Sequence, residues 1–64
     1  MEDEFLTEQQ VSEMTKIALS TLRNHRSRKL GMPYHKVGRS IRYSARDVKQ
    51  YMDRGRIETE RRSL

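Results

Sequence analysis

The chain has 64 residues, 33% apolar and 36% charged, with no cysteine and a formal net charge of +5. A domain of this size buries only ~60% of the surface its unfolded chain exposes, so it has little interior for a shielded catalytic pocket and its function belongs on the outside. Without cysteine there are no disulfide staples and no thiolate zinc site, the isolated His25 and His35 make no metal centre, and no apolar run approaches the ~18 residues of a membrane span.

Residues 1–4 read as an acidic extension ahead of the fold. A secretory or organellar signal is basic at this place, so the expected setting is the cytoplasm, on the nucleoid. Leu6-Thr7-Glu8-Gln9-Gln10-Val11 then holds a complete helix start. Thr7 can cap the amide of Gln10 while Gln10 reaches back to Thr7, and Leu6 can pack on Val11, a capping box with its hydrophobic staple. This predicts a helix over 8–15 with Val11 and Met14 on its apolar face, and Glu8 suits the positive end of the helix dipole.

After a join of three or four residues, Ile17, Leu22 and His25 mark the inward face of a second helix over 19–28. Ser20, Thr21, Arg23, Asn24, Arg26 and Ser27 mark its outward face. Two short helices so tightly joined predict a helix-turn-helix whose second helix displays its polar side. Gly31, able to adopt a left-handed conformation, and Pro33 end that helix. Two short strands follow around the turn Gly38-Arg39-Ser40, with Val37 and Ile41 toward the core, Lys36 and Arg42 away from it and Arg39 at the tip. Tyr34 and Tyr43 are expected to pack. Ser44, with Asp47 three residues on, starts a third helix over 45–54 whose Val48, Tyr51 and Met52 form a core stripe. Gly55 marks the stop, and residues 55–64 read as a polar tail, frayed or disordered. The expected fold is mainly α with a small β-hairpin, a winged helix-turn-helix of order α-α-β-β-α over residues 5–54.

Charge is segregated along the chain. Residues 1–13 hold five carboxylates and no base, whereas residues 14–46 hold nine bases and no carboxylate. Such a segment repels itself unless something anionic lies against it, which points to double-stranded DNA as the partner. The DNA-binding residues are then Ser20, Thr21, Arg23, Asn24, Arg26 and Arg28 of the second helix and Lys36, Arg39 and Arg42 of the hairpin. Arg23, Asn24 and Arg26 suit base edges, because guanidinium matches guanine and carboxamide matches adenine. Ser20 and Thr21 at the helix start suit a phosphate, and the hairpin cations suit the backbone. A membrane is disfavoured because turn signals break up the basic residues. RNA is disfavoured by the lack of a stacking platform.

Nothing in the chain calls for a cofactor, a metal or a small-molecule substrate. No paired carboxylates in an apolar setting and no supported Ser/His/Asp arrangement are present, so an enzyme is not expected. The reading from another class is a protein-interaction adaptor that docks on an acidic partner protein through its Glu-rich start or Arg-rich end.

Leu6-Thr7, Leu19-Ser20-Thr21-Leu22-Arg23, Gly31-Met32-Pro33-Tyr34, Lys36-Val37-Gly38-Arg39, Ile41-Arg42-Tyr43 and Asp47-Val48 occur in this order over residues 5–53. Together they resemble the small helix-turn-helix domain of excisionase-like proteins, a group related to the DNA-binding heads of MerR-type regulators. The resemblance implies a winged helix-turn-helix, a bacterial or phage origin, and DNA binding in transcription control or as a recombination directionality factor. The ~600–1,000 Å² that one small module buries on DNA calls for neighbouring copies of the chain or a partner protein, and the resemblance also implies an integrase as a further partner on DNA. By position it puts Ser20, Thr21, Arg23, Asn24 and Arg26 on the recognition helix and Lys36, Arg39 and Arg42 on the wing. Two residues depart from the pattern. Ala18 stands where the family usually has a capping serine, at a cost of roughly 1 kcal/mol, and Lys16 replaces the usual glycine of the inter-helix turn.

Overall fold

The computed structural model of the chain describes residues 4–57. Its elements are β1 (Phe5–Leu6), α1 (Glu8–Thr15), α2 (Leu19–Ser27), β2 (His35–Val37), β3 (Ser40–Ser44) and α3 (Ala45–Arg54). This is the mainly α, winged helix-turn-helix arrangement that the sequence predicts, with α2 one residue shorter. β1 is an addition. Phe5 pairs with Ser44 and Leu6 with Tyr43, which turns the hairpin into a three-stranded antiparallel sheet of order β1-β3-β2. Two residues are too few to show alternation in a sequence. The Glu4 carbonyl also accepts from the Ala45 N–H at 2.8 Å, tying the chain before β1 to the start of α3. The expected polar tail lies outside the described residues beyond Ile57.

The core consists of Leu6, Val11, Leu22, Tyr43 and Val48, one from each element except β2, and Met32 from the loop before β2, with Ile17, Leu19, Tyr34, Ile41, Ala45 and Tyr51 packed around it. Met14 does not join it. It is 56% exposed and lines an apolar cleft with Met52 and Val48, against the expectation that it shares a face with Val11. The half-buried side of α1 instead runs from Val11 to Thr15, one turn on, where the Thr15 hydroxyl donates to the Val11 carbonyl at 2.8 Å.

Side-chain caps fix where α1 and α3 begin. Thr7 Oγ1 accepts from the Gln10 N–H at 3.1 Å and the Thr7 N–H donates to Gln10 Oε1 at 2.8 Å, the reciprocal pair read from the sequence. Ser44 Oγ accepts from the Asp47 N–H at 3.2 Å and starts α3 directly from the end of β3. Ala18, at the N-cap of α2, makes no side-chain cap.

Lysines occupy strained positions at both ends of the α2 region. Lys16 follows α1 with φ 65° and Lys29 follows α2 with φ 58°, left-handed values at which a side chain costs roughly 1–2 kcal/mol relative to glycine. Hydroxyls support the first turn: Ser12 Oγ donates to the Ile17 carbonyl at 2.7 Å, and Thr15 Oγ1 accepts from the Ile17 N–H at 3.2 Å. At the second, Leu30 N–H donates to the His25 carbonyl at 2.8 Å and Lys29 N–H to the Arg26 carbonyl at 3.0 Å, the Schellman pattern. Lys29, rather than Gly31, therefore ends α2. Gly31 uses its positive φ of 81° two residues later, where an added Cβ would lie 2.8 Å from His25 Nδ1.

The hairpin differs from the expected one by a single residue. Val37 pairs with Ser40, Lys36 with Ile41 and His35 with Arg42, so the connecting loop is Gly38-Arg39 alone. Gly38 has φ 63° and Arg39 no positive φ, as a II′ turn requires. A two-residue loop puts Val37 and Ile41 on opposite faces, and the expected three-residue turn would have put them together. Ile41 packs against the core and its cross-strand partner Lys36 shares its face, against the expectation that Lys36 and Arg42 point the same way, while Val37 is 67% exposed on the outer face beside Phe5, His35 and Arg42.

Candidate nucleic-acid interface

The side of α2 that faces water is narrow and polar. Ser20, Arg23, Asn24 and Ser27 are its exposed residues, and their spacing of three, one and three puts them in a single stripe. Leu22, at the opposite side, is fully buried and fixes the rotation of the helix on the core. Thr21 is half-buried beside the stripe. Arg28 is exposed at the C-cap of α2, where its backbone N–H closes the last turn.

Arg26 does not share the outward stripe that the sequence reading gave it. It lies one helical turn after Leu22, which carries it over the rim of the core, and its side chain is only 17% exposed. There Nη1 donates to the Tyr43 hydroxyl at 2.8 Å, Nη2 contacts Glu8 Oε1 at 3.0 Å, and the guanidinium carbon sits 5.8 Å from the centroid of the Tyr34 ring. The cation–π contact and two polar partners hold it in place. Tyr43 was expected to pack, and its buried ring does, but its hydroxyl has the additional task of accepting from Arg26.

Glu8 joins α1 to α2. Arg23 donates to it from two atoms, Nε to Oε1 at 3.3 Å and Nη2 to Oε2 at 2.7 Å. The Glu8 side chain is 22% exposed and that of Arg23 57%. The hydrogen bond from Arg23, opposed by partial burial and reinforced by Arg26, holds the Glu8 carboxyl below the usual value of 4.5. The acid-free central segment is therefore not wholly unneutralised, because one carboxylate of the acidic N-terminal segment reaches it. The sequence reading gave Glu8 only a role at the α1 dipole. Its contact with Arg23 spans fifteen residues and depends on how α1 crosses α2, which no local pattern records.

The wing supplies the remaining cations. Arg39 is exposed at the tip. Arg42 is half-buried, and its Nη1 donates to the Ile41 carbonyl at 2.8 Å. Both line an open groove with Ile41, and the start of α1, Thr7, Glu8 and Gln9, forms its other wall. Glu8 is thus the common point between the arginines of α2 and those of the wing. Lys36 is exposed on the hairpin away from that groove's lining. Among the described residues, neither Lys36 nor Arg39 has a carboxylate partner, and no helix is long and apolar enough to cross a membrane.

A family model described as a helix-turn-helix domain matches residues 5–56, which takes in every described element. The chain belongs to the helix-turn-helix domain family. It is a DNA-binding helix-turn-helix protein, of an excisionase-like family that is typically not enzymatic. Neither the curated proteins nor the solved structures contain a match to it. In this helix-turn-helix protein α2 is the second helix of the motif, and its polar stripe faces solvent.

Proposed function

We propose that the protein binds duplex DNA sequence-specifically, with α2 in the major groove and the β2–β3 wing along the backbone or in the adjacent minor groove. The observation that carries this reading is the stripe Ser20, Arg23, Asn24 and Ser27. It is polar throughout, lies on the exposed side of the second helix of the motif, and is flanked by a cationic wing. Arg23 suits guanine and Asn24 adenine, Ser20 and Thr21 suit a phosphate at the start of α2, and Arg28, Lys36, Arg39 and Arg42 suit the backbone. Arg26, held by Tyr43 and Glu8, serves as a brace for the reading helix.

A single module of this kind buries ~600–1,000 Å² on DNA, so useful specificity requires neighbouring copies or a partner such as an integrase. That need fits a transcriptional regulator or a recombination directionality factor of bacterial or phage origin, working in the cytoplasm. Gel shift of the wild type against Arg23→Ala and Arg39→Ala tests the proposal. A DNA reader binds its preferred duplex more weakly in both variants, whereas an adaptor that docks on an acidic protein loses DNA binding in neither.

A further inference from the structure

The guanidinium of Arg23 has two edges that each present a pair of N–H groups. One is formed by Nε and Nη2, the other by the outer hydrogens of Nη1 and Nη2. Glu8 takes the first edge, with contacts of 3.3 and 2.7 Å. The second edge is left over on a side chain that is 57% exposed, on the same stripe as Asn24. We infer that Glu8 is a positioning residue of the DNA reader, whose carboxylate grips the inner edge of Arg23 so that the outer edge is presented as a fixed two-donor fork to a guanine in the major groove. This rests on the proposed DNA-binding mode and adds to it the residue that aims the reading arginine.

Three observations favour a positioning role over simple competition between Glu8 and phosphate. Glu8 is held by two arginines, and the second, Arg26, is anchored by Tyr43, so releasing Arg23 would not release the carboxylate. Surrendering Glu8 altogether would leave the largely covered Arg26 without its counter-charge, a costly state. One carboxylate against two contacting guanidinium groups, with Arg39 and Arg42 lining the adjoining groove, also leaves the surface cationic. A fork with its rotamers already restricted loses less entropy on meeting O6 and N7 of guanine than a free arginine does.

The test begins by selecting preferred duplexes from a random library with the full chain. Affinities of the wild type, Glu8→Gln, Arg23→Ala and the double variant are then measured on a selected duplex and on an unrelated one of equal length. Glu8→Gln is expected to lower the ratio of selected to unrelated affinity by roughly fivefold or more, the lower end of what a bidentate arginine–guanine pair contributes. Its affinity for the unrelated duplex should hold or rise, because a negative charge has left a cationic face. In the Arg23→Ala background the same change should leave the ratio unaltered. Equal gains on both duplexes would make Glu8 a competitor and overturn the inference, as would an equal fall in the ratio with or without Arg23. Thermal melting checks that Glu8→Gln is folded. If it is not, Glu8→Asp decides: it keeps the counter-charge of Arg26 but is one methylene short of the Arg23 edge, so loss of the ratio supports the inference and retention overturns it. A wild type that binds no duplex would remove the DNA-binding proposal and this inference together, while salt-sensitive wild-type binding with an unchanged ratio in Glu8→Gln would remove the inference alone.

Discussion

Arg23 on α2 and Arg39 on the wing are both exposed arginines of one cationic surface, yet the fold prepares them in different ways. Arg23 is gripped on one edge by Glu8, which is held in turn by Arg26, itself anchored on the Tyr43 hydroxyl, so its guanidinium starts from a defined orientation. Arg39 stands at the tip of a two-residue turn with no carboxylate partner among the described residues. A fixed donor pair can tell one base from another, whereas a loose charge can only find a phosphate. Under the proposed mode of binding, the difference gives specificity to the helix and sequence-independent affinity to the wing.

The sharpest way to break this division is Arg23→Ala. It should remove about 1–3 kcal/mol of discrimination at one base position, as read by competition binding against single-base variants of a selected duplex, while costing the fold only the small amount that an exposed ion pair contributes. Tyr43→Phe strikes the brace instead of the reader. Removing the acceptor of a charged hydrogen bond on a partly buried arginine should cost about 1.5–3 kcal/mol of folding stability in denaturant unfolding, with no comparable effect from substitutions on the wing. The join between α1 and α2 offers changes of opposite sign. Ala18→Ser supplies the missing cap and Lys16→Gly relieves the left-handed lysine, and each should stabilise by about 1 kcal/mol, or roughly 4–8 °C in melting temperature.

Much of this architecture is legible in the sequence because its determinants are local. Thr7 with Gln10 and Ser44 with Asp47 announce two helix starts within four residues each, and the capping bonds form as the patterns demand. The paired helices, the wing and the excisionase-like resemblance follow from segments read in order. What escaped the sequence depends on parity or on crossing geometry. One residue in the length of the Gly38-Arg39 turn decides which way Val37 points, and a sequence with glycine followed by arginine and serine allows either length. Met14 and Arg26 each sit within one turn of a core residue, and only the packed positions of α1 and α2 decide that the first is exposed and the second covered. The clamp on Arg23 is the least legible feature, since Glu8 belongs to a different charge block and its local role at the start of α1 accounts for it fully.

Smaller effects sharpen the contrast between helix and wing. Arg39→Ala should weaken binding to all duplexes alike and reduce the salt slope by about one, without relaxing base preference. Acid should act on the helix side. The Glu8 carboxyl titrates below its ordinary 4.5 because of Arg23 first and Arg26 next, so its contribution to stability is complete above the unfolded value and is lost as pH falls through the folded one. Melting curves of the wild type and Glu8→Gln should therefore differ by a constant amount from neutral pH down to about 4.5 and converge at lower pH, whereas Arg39→Ala should follow the wild type throughout.

The most direct test of the central claim, that the stripe of α2 and the wing together form one face for a duplex, is a salt titration of binding by fluorescence anisotropy on duplex DNA. If the four cations suited to the backbone, Arg28, Lys36, Arg39 and Arg42, meet phosphates, the logarithm of affinity falls against the logarithm of salt concentration with a slope of about −3.6. A flat response would contradict the account.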